Sequence, residues 1–338
     1  MIKFGSLELS SPILLAPLAG ITDLPFRMLN RRFGCEFAFL EMVSAKSLTY
    51  QSRNTLKLLA SCPEDRPLGI QLVGSEPDVF KRAMDILQAG EYSVFDLNAA
   101  CPVPKVTGKG EGASLMNHPA RLRELLKIMV QNTTLPVTVK IRSGWDEGSQ
   151  NARDVALHAE DAGIHTIIIH GRTRKQGYSG GVDYRAIQEV CEAVSIPVIG
   201  SGDAFSPELV RKMMDETGCC GVAIARGSLG NPWIFRETAA YLKNGKKPER
   251  PGMEEIISTV KSHLDACIDF YGEEQGSMIF RKFFVWYTKG FRGVKRLREK
   301  TFHASSRIEM HNIISELSLA EADHRYQSAD NVPESEMP

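Results

Sequence analysis

The residues with the strongest claim to chemistry lie in one stretch, VFDLNAACPVPKVTGKGEGASLM, from Val94 to Met116. An apolar run that reads as a buried strand gives way to Asn98, a single thiol at Cys101 and a strand-ending proline, Pro102. Lysines and glycines follow. An ordinary thiol, with a pKa near 8.5, is protonated at neutral pH, so Cys101 suits a general acid without special activation. No Cys–His nucleophile pair can be read from the sequence, although His170 ends another apolar run and could approach. Cys35, Cys62, Cys191, Cys219, Cys220 and Cys267 read as small buried packing residues.

Other polar residues interrupt or end apolar runs. Lys140 sits inside VTVKIR, where a lysine is costly unless it faces an anionic or electron-rich partner or pairs with a carboxylate such as Glu41. Gln71, in LGIQLV, could hydrogen-bond a heteroaromatic edge or be satisfied within the core. Two late glycine loops, Gly200-Ser201-Gly202-Asp203 and Arg226-Gly227-Ser228-Leu229-Gly230, suggest backbone amides close to a phosphate. Tight turns alone would also explain either loop. His170-Gly171-Arg172-Thr173-Arg174-Lys175 places a histidine and three cations at another run's end, which favours a ligand contact over a solvated charge run.

These residues imply a frame. Eight apolar runs read as strands: Pro12–Ala19, Phe37–Met42, Leu68–Val73, Val94–Ala99, Val137–Arg142, Thr166–His170, Val198–Ser201 and Gly221–Ala225. They lack alternation, as strands covered on both faces do, and helical patterns such as Pro77–Leu87 lie between them. Eight strand–helix units in about 245 residues predict an α/β fold, a (β/α)8 TIM barrel, over a doubly wound sheet as the alternative. Its C-terminal mouth would gather the polar strand ends, including Pro17-Leu18-Ala19. The barrel is expected over residues 1–245 and a small helical domain over 246–318, beyond the linker NGKKPERP. Helices are expected at Glu254–Tyr271, at about Ser277–Thr288 and around Ser305–Ser318, with a disordered tail over 319–338.

The 338 residues carry 41 basic and 41 acidic side chains, so any polyanion site must be local. One such cluster is Arg281–Arg307, where Lys and Arg interleave with Phe283, Phe284, Trp286, Tyr287, Phe291 and Phe302. Stacking platforms beside phosphate contacts would give this mixture, and so would an amphipathic helix with core aromatics. No apolar run is long enough for a membrane span, and no signal-peptide pattern opens the chain. Seven cysteines without framework spacing predict a reduced, cytoplasmic protein.

Seven blocks in order carry a family resemblance over residues 5–310: APLAGITDLPFR, EMVSA, LNAACPVPKV, VKIRSG, HGRTRKQGYSG, GSGD and ARGSLGNPWIF. The chain resembles the tRNA-dihydrouridine synthases, flavoenzymes with an FMN-binding barrel and a helical RNA-binding domain, and their B-type branch most of all. The resemblance implies FMN against Pro17, Leu18, Ala19, Gln71, Lys140 and His170. It puts the FMN phosphate at Ser201, Gly202, Asp203, Ala225 and Arg226. It makes Cys101 the proton donor, and Asn98, Lys105, Arg142, Arg172 and Lys175 the residues gripping a uridine and nearby phosphates. The implied reaction passes hydride from reduced FMN to uracil C6 and a proton from Cys101 to C5, with NADPH or NADH as transient reductant. The implied partner is tRNA, with no membrane and no obligatory protein partner. The chain departs from the family pattern where Ala100 and Ala225 stand for the usual glycine, where Ser201 stands for asparagine, and where an Ala-Asp-Trp-like step reads Val182-Asp183-Tyr184. Two rival readings are an FMN barrel of the dihydroorotate-dehydrogenase type acting on a small molecule, and an RNA-binding scaffold without catalysis.

Overall fold

The computed structural model describes residues 2–319 and 321–322. An antiparallel hairpin, β1 (Ile2–Phe4) and β2 (Leu7–Leu9), precedes β3 (Ile13–Leu15) and α1 (Leu24–Arg32). There follow β4 (Ala38–Phe39), β5 (Val43–Ser44), α2 (Ala45–Thr49), α3 (Arg53–Leu58), β6 (Leu68–Val73), α4 (Pro77–Leu87), β7 (Val94–Asn98), α5 (Pro104–Thr107) and α6 (Pro119–Gln131). Strict alternation continues through β8 (Val137–Arg142), α7 (Ala152–Asp161), β9 (Thr166–His170), α8 (Tyr184–Ala193), β10 (Val198–Ser201), α9 (Pro207–Thr217), β11 (Gly221–Ile224) and α10 (Ile234–Asn244). The rest is α11 (Met253–Tyr271), α12 (Glu273–Tyr287), β12 (Phe291–Arg292), α13 (Lys295–His303), α14 (Arg307–Ser315) and β13 (Glu321–Ala322), which pairs with β12.

The parallel sheet closes into a barrel, because β3 pairs with both β4 and β11 while β4 and β5 both pair with β6. β4 and β5 are thus two pieces of one stave, making eight. The continuous strand expected over Phe37–Met42 is broken at Leu40–Met42, where the buried Glu41 carboxylate turns aside to accept from the Gly20 amide. The first strand is also shorter than expected. Pro17 supplies no N–H to extend the ladder, although the Ala16 amide still donates to Ile224 at 2.9 Å.

Two apolar layers hold this frame. Most outward strand residues meet the helices, as period-2 alternation requires. The inward set, Leu14, Ala16, Phe37, Phe39, Val94, Ile168, Ile199 and Ala223, packs with Ile2, Phe4 and Leu9 of the hairpin, which plugs the end opposite the mouth. Gly69 is required here, for a Cβ would lie 2.4 Å from the Phe39 ring.

The C-terminal helices pack against α1 and the loop after β11. The Phe26 ring stacks on Phe283 with centroids 5.6 Å apart, and Trp233 meets Tyr287 edge-on. Gly230, at φ +65°, sits so close to α12 that a Cβ would fall 2.4 Å from the Trp286 carbonyl carbon. Phe283, Phe284 and Tyr287 are therefore core residues, while Phe302 is exposed. The amphipathic reading accounts for most of these aromatics. α13 was not anticipated: only Leu297 and Thr301, one turn apart, are buried on it. The third expected helix ends at Ser315 and tightens into a 3-10 turn, Glu316–Leu319. Of the tail expected to be disordered, Leu319 lies in that turn and Glu321–Ala322 form β13, whereas residue 320 and residues 323–338 lie outside the described residues. No helix among the described residues is long and apolar enough to cross a membrane.

Candidate active site

Barrel register assembles the site. Gln71 is level with Asp96, Asn98 with Lys140, Arg142 with His170, His170 with Ser201, and Ser201 with Ala223. Residues two apart on a strand share a face, so these side chains converge on the mouth. All but Asp96 line a cavity of about 380 Å³, which also takes in Pro17, Leu18, Ala19, Cys101, Gly202, Asp203, Ala225 and Arg226. Of the anticipated residues, Lys105 and Lys175 are exposed and away from this wall, and Arg172 lies behind it.

On the thiol side, the Asn98 carbonyl oxygen accepts from the amides of Ala100 and Cys101 at 3.1 and 2.8 Å. This turn fixes Cys101 just beyond β7. Gly112, at φ +59°, presses on the same residue, since a Cβ there would approach the Cys101 carbonyl to 2.8 Å. Burial pushes the Cys101 thiol above its ordinary pKa, against a hydrogen bond from the Val103 backbone and the Arg142 charge, so it stays protonated at neutral pH.

The opposite wall is cationic. Burial first and the Arg142 charge second, opposed by the Asp96 carboxylate, lower Lys140 to about 8. Lys140 does not pair with Glu41, whose carboxylate accepts from Gly20 instead. Arg142 remains charged while bonding the carbonyls of Ala100, Thr173 and Gly177 at 2.7–2.9 Å. Arg172 donates to Asp203 at 2.9 and 2.6 Å and is almost wholly buried, so it orients Asp203 rather than reaching into the mouth. Asp203 holds a left-handed backbone at φ 47° and also accepts from Arg226 at 3.2 Å. Such strain is characteristic of functional turns.

The cavity has the features of a ligand site. His170 is buried, and its Nε2 has no hydrogen-bond partner. Burial and the surrounding charges of Arg142, Lys140, Arg172 and Arg226 hold it far below the usual histidine pKa, so it is neutral. A buried, unsatisfied polar atom on a residue that lines a cavity among four cations marks a place for an anionic or polar ligand. Gly202, at φ +120°, leaves open backbone where a Cβ would meet Val182 and His170. Ala225, at φ −112° and ψ −100°, is neither helical nor extended, and the Ser201 hydroxyl is satisfied by the Ala223 carbonyl at 3.1 Å.

Several residues here escape a reading of the sequence. Tyr178 lies under Arg226, whose guanidinium is 4.4 Å from the ring centroid, and Phe205 takes its other approach at 5.4 Å. Met42 lines the cavity, and Asp96 lies fully buried beneath it. A carboxylate within a wholly apolar strand pattern was the one available signal for Asp96.

Comparison with known proteins agrees with this geometry. The dihydrouridine synthase (Dus) family model matches residues 14–323. The probable tRNA-dihydrouridine synthase of Rickettsia conorii is 39% identical over 304 residues, 88% of this chain and 92% of that protein. The tRNA-dihydrouridine synthase B of Pseudomonas aeruginosa is 38% identical over 298 residues, 88% of this chain and 90% of that protein. Among solved structures, an old yellow enzyme homologue from Zymomonas mobilis superposes with a TM-score of 0.52 at 12% identity, covering 75% of this chain and 94% of that one. Histamine dehydrogenase from Rhizobium sp. 4-9 gives 0.53 at 14% identity, over 75% of this chain and 48% of that longer one. These two likenesses speak for the barrel alone.

Proposed function

Because the chain belongs to the dihydrouridine synthase family, we propose that its mouth reduces particular uridines of tRNA to 5,6-dihydrouridine, with FMN resident in the cavity and the Cys101 thiol as proton donor. The orphaned Nε2 of His170, a residue that lines a cavity ringed by cations, is the observation that carries the cofactor assignment. Gln71, Lys140 and His170 would hold the ring, with Pro17, Leu18 and Ala19 as the apolar wall. Ser201, Gly202, Asp203, Ala225 and Arg226 would hold the phosphate end. FMN held by these residues would supply the hydride chemistry for uracil C6, with NADPH or NADH as the reductant.

The chain's own residues do the rest. Cys101, kept neutral by burial, delivers its proton to C5. Arg142, charged and anchored to the Ala100 carbonyl, keeps the thiol loop against the cationic wall and stabilises the thiolate left behind. Lys140 favours negative charge developing in front of it. A base stacked in folded RNA must be extruded to reach this depth. Asn98 then lies where it can meet the uracil edge, while exposed Lys105 and Lys175 reach phosphates outside. Residues 246–318 form the tRNA-binding part in this reading, and residues 1–245 the catalytic barrel. A tRNA substrate places the reaction in the cytoplasm.

The test is an anaerobic reaction with FMN, NADPH and unmodified tRNA, mapping dihydrouridine by position. Cys101→Ala should retain yellow flavin and lose at least about a hundredfold in rate, the scale of a missing general acid. Undiminished product in that variant would remove the thiol from the mechanism. Flavin reduced by NADPH while tRNA stays untouched would favour a small-molecule substrate.

A further inference from the structure

From the cavity wall down to a buried carboxylate runs a chain of polar side chains whose bonds to one another the roles above do not explain. Thr138 donates to one oxygen of Asp96 at 2.5 Å, and the Gln71 amide nitrogen donates to the other at 2.7 Å. The Gln71 carbonyl then accepts from the Asn98 amide nitrogen at 2.7 Å, leaving the Asn98 carbonyl to receive the Ala100 and Cys101 backbone amides. An amide side chain offers donors at one end and an acceptor at the other, and either end can face a given neighbour. A carboxylate has acceptors only.

We propose that Asp96 is a positioning residue for Cys101. As an acceptor-only group at the root of this chain, it forces Gln71 to present its nitrogen inward and its carbonyl to Asn98. Asn98 must then turn its nitrogen to Gln71 and its carbonyl to the thiol loop. Were either amide to flip, the Asn98 nitrogen would face two backbone N–H groups and the Cys101 turn would lose its acceptor. A full network under a catalytic turn specifies one arrangement, and one broken member unsettles all of it.

Burial supports this role. Asp96 has no exposed surface, and desolvation raises its carboxyl, on balance to about 6. The Thr138 and Gln71 bonds and the nearby Lys140 charge pull the other way, which leaves it ionised at neutral pH. The same carboxylate favours the charged form of Lys140, so one buried group serves both walls of the mouth.

The inference rests on Cys101 being the proton donor only for its bearing on catalysis. Its test reads the thiol loop directly, as the rate at which iodoacetamide alkylates Cys101 in the FMN-saturated protein, followed by mass spectrometry of that peptide. Gln71→Glu sets two carboxylates face to face and should raise the rate about tenfold, the effect of losing one strong buried hydrogen bond. Asp96→Asn added to Gln71→Glu reverses the bond: an amide now donates to a carboxylate that still accepts from Asn98. The double variant should return to within about twofold of wild type, a coupling that independent packing effects would not give. Asp96→Ala, which removes the acceptor without adding charge, should resemble Gln71→Glu. If Asp96→Ala does not fold, the Gln71→Glu pair still decides. Wild-type alkylation in Gln71→Glu, or a double variant as labile as Gln71→Glu, overturns the proposal. A catalytically competent Cys101→Ala would overturn the proton-donor reading instead and leave these alkylation rates as they are.

Discussion

His170 in the barrel mouth and His263 in the helical region are both buried, both neutral, and both have an Nε2 without a hydrogen-bond partner. Their surroundings differ in kind. His170 lines a cavity and is ringed by Arg142, Lys140, Arg172 and Arg226, with the Tyr178 ring 6.3 Å away. His263 is enclosed by the rings of Phe26, Phe280, Phe283 and Tyr287, at centroid distances of 4.4–5.9 Å, and its Nδ1 meets the Tyr287 hydroxyl at 3.1 Å. A depressed histidine pKa does not by itself mark a functional site. What distinguishes the two is whether the residue lines a cavity among charges or sits within packed aromatic rings.

The same substitution at the two positions should therefore fail in opposite ways. His263→Ala opens a hole in the aromatic seam that joins α11 and α12 to α1. It should lower unfolding free energy by about 3 kcal/mol, within the range for large-to-small core changes. Denaturant titration measures this. FMN affinity of the folded fraction should be unchanged. Loss of flavin binding with stability intact would place His263 in the site and erase the distinction.

A smaller effect comes from acid. The pKa of His263 is lowered by burial from 6.5 to about 3, so the folded state stays neutral while the unfolded chain binds a proton below pH 6.5. Its contribution to stability is complete above that value and is lost as pH falls. Between pH 7 and pH 5 the loss is about 2 kcal/mol at 1.36 kcal/mol per pH unit. His263→Ala should lose that much less over the same interval. Parallel stability–pH curves for the two proteins would show that His263 is protonated within the fold.

How far each region was legible follows from the physics of its pattern. Buried parallel strands leave continuous apolar runs, and β6, β8, β9 and β10 fall where LGIQLV, VTVKIR, TIIIH and VIGS end. Their polar ends converge because register is fixed by closure, so Lys140, His170 and Ser201 could be placed together from sequence. Partnership was harder to see. Arg172 reads as a free cation until the fold brings Asp203, 31 positions later, within 2.6 Å. The amphipathic C-terminal helices give the same mixture of aromatic and basic residues whether the aromatics face a core or a base. Only docking on Phe26 and Trp233 decides that for Phe283 and Tyr287. The hairpin plug was invisible because three-residue strands carry no period.

His170→Ala offers the smallest effect and the sharpest contrast. The side chain fronts a cavity, so truncation enlarges existing space rather than creating a void, and it removes a polar atom that is unsatisfied until something enters. Stability without flavin should stay within about 0.5 kcal/mol of wild type, as for substitutions that break no packing. FMN should bind about tenfold more weakly, the equivalent of one hydrogen bond of about 1.4 kcal/mol. Quenching of flavin fluorescence on binding measures it, and the deficit should be the same at pH 6 and pH 8, because His170 is neutral at both. A deficit confined to pH 6 would mean that the imidazole binds FMN as a cation. The four surrounding positive charges would then not be setting its protonation, and the two histidines would differ in titration as well as in what they face.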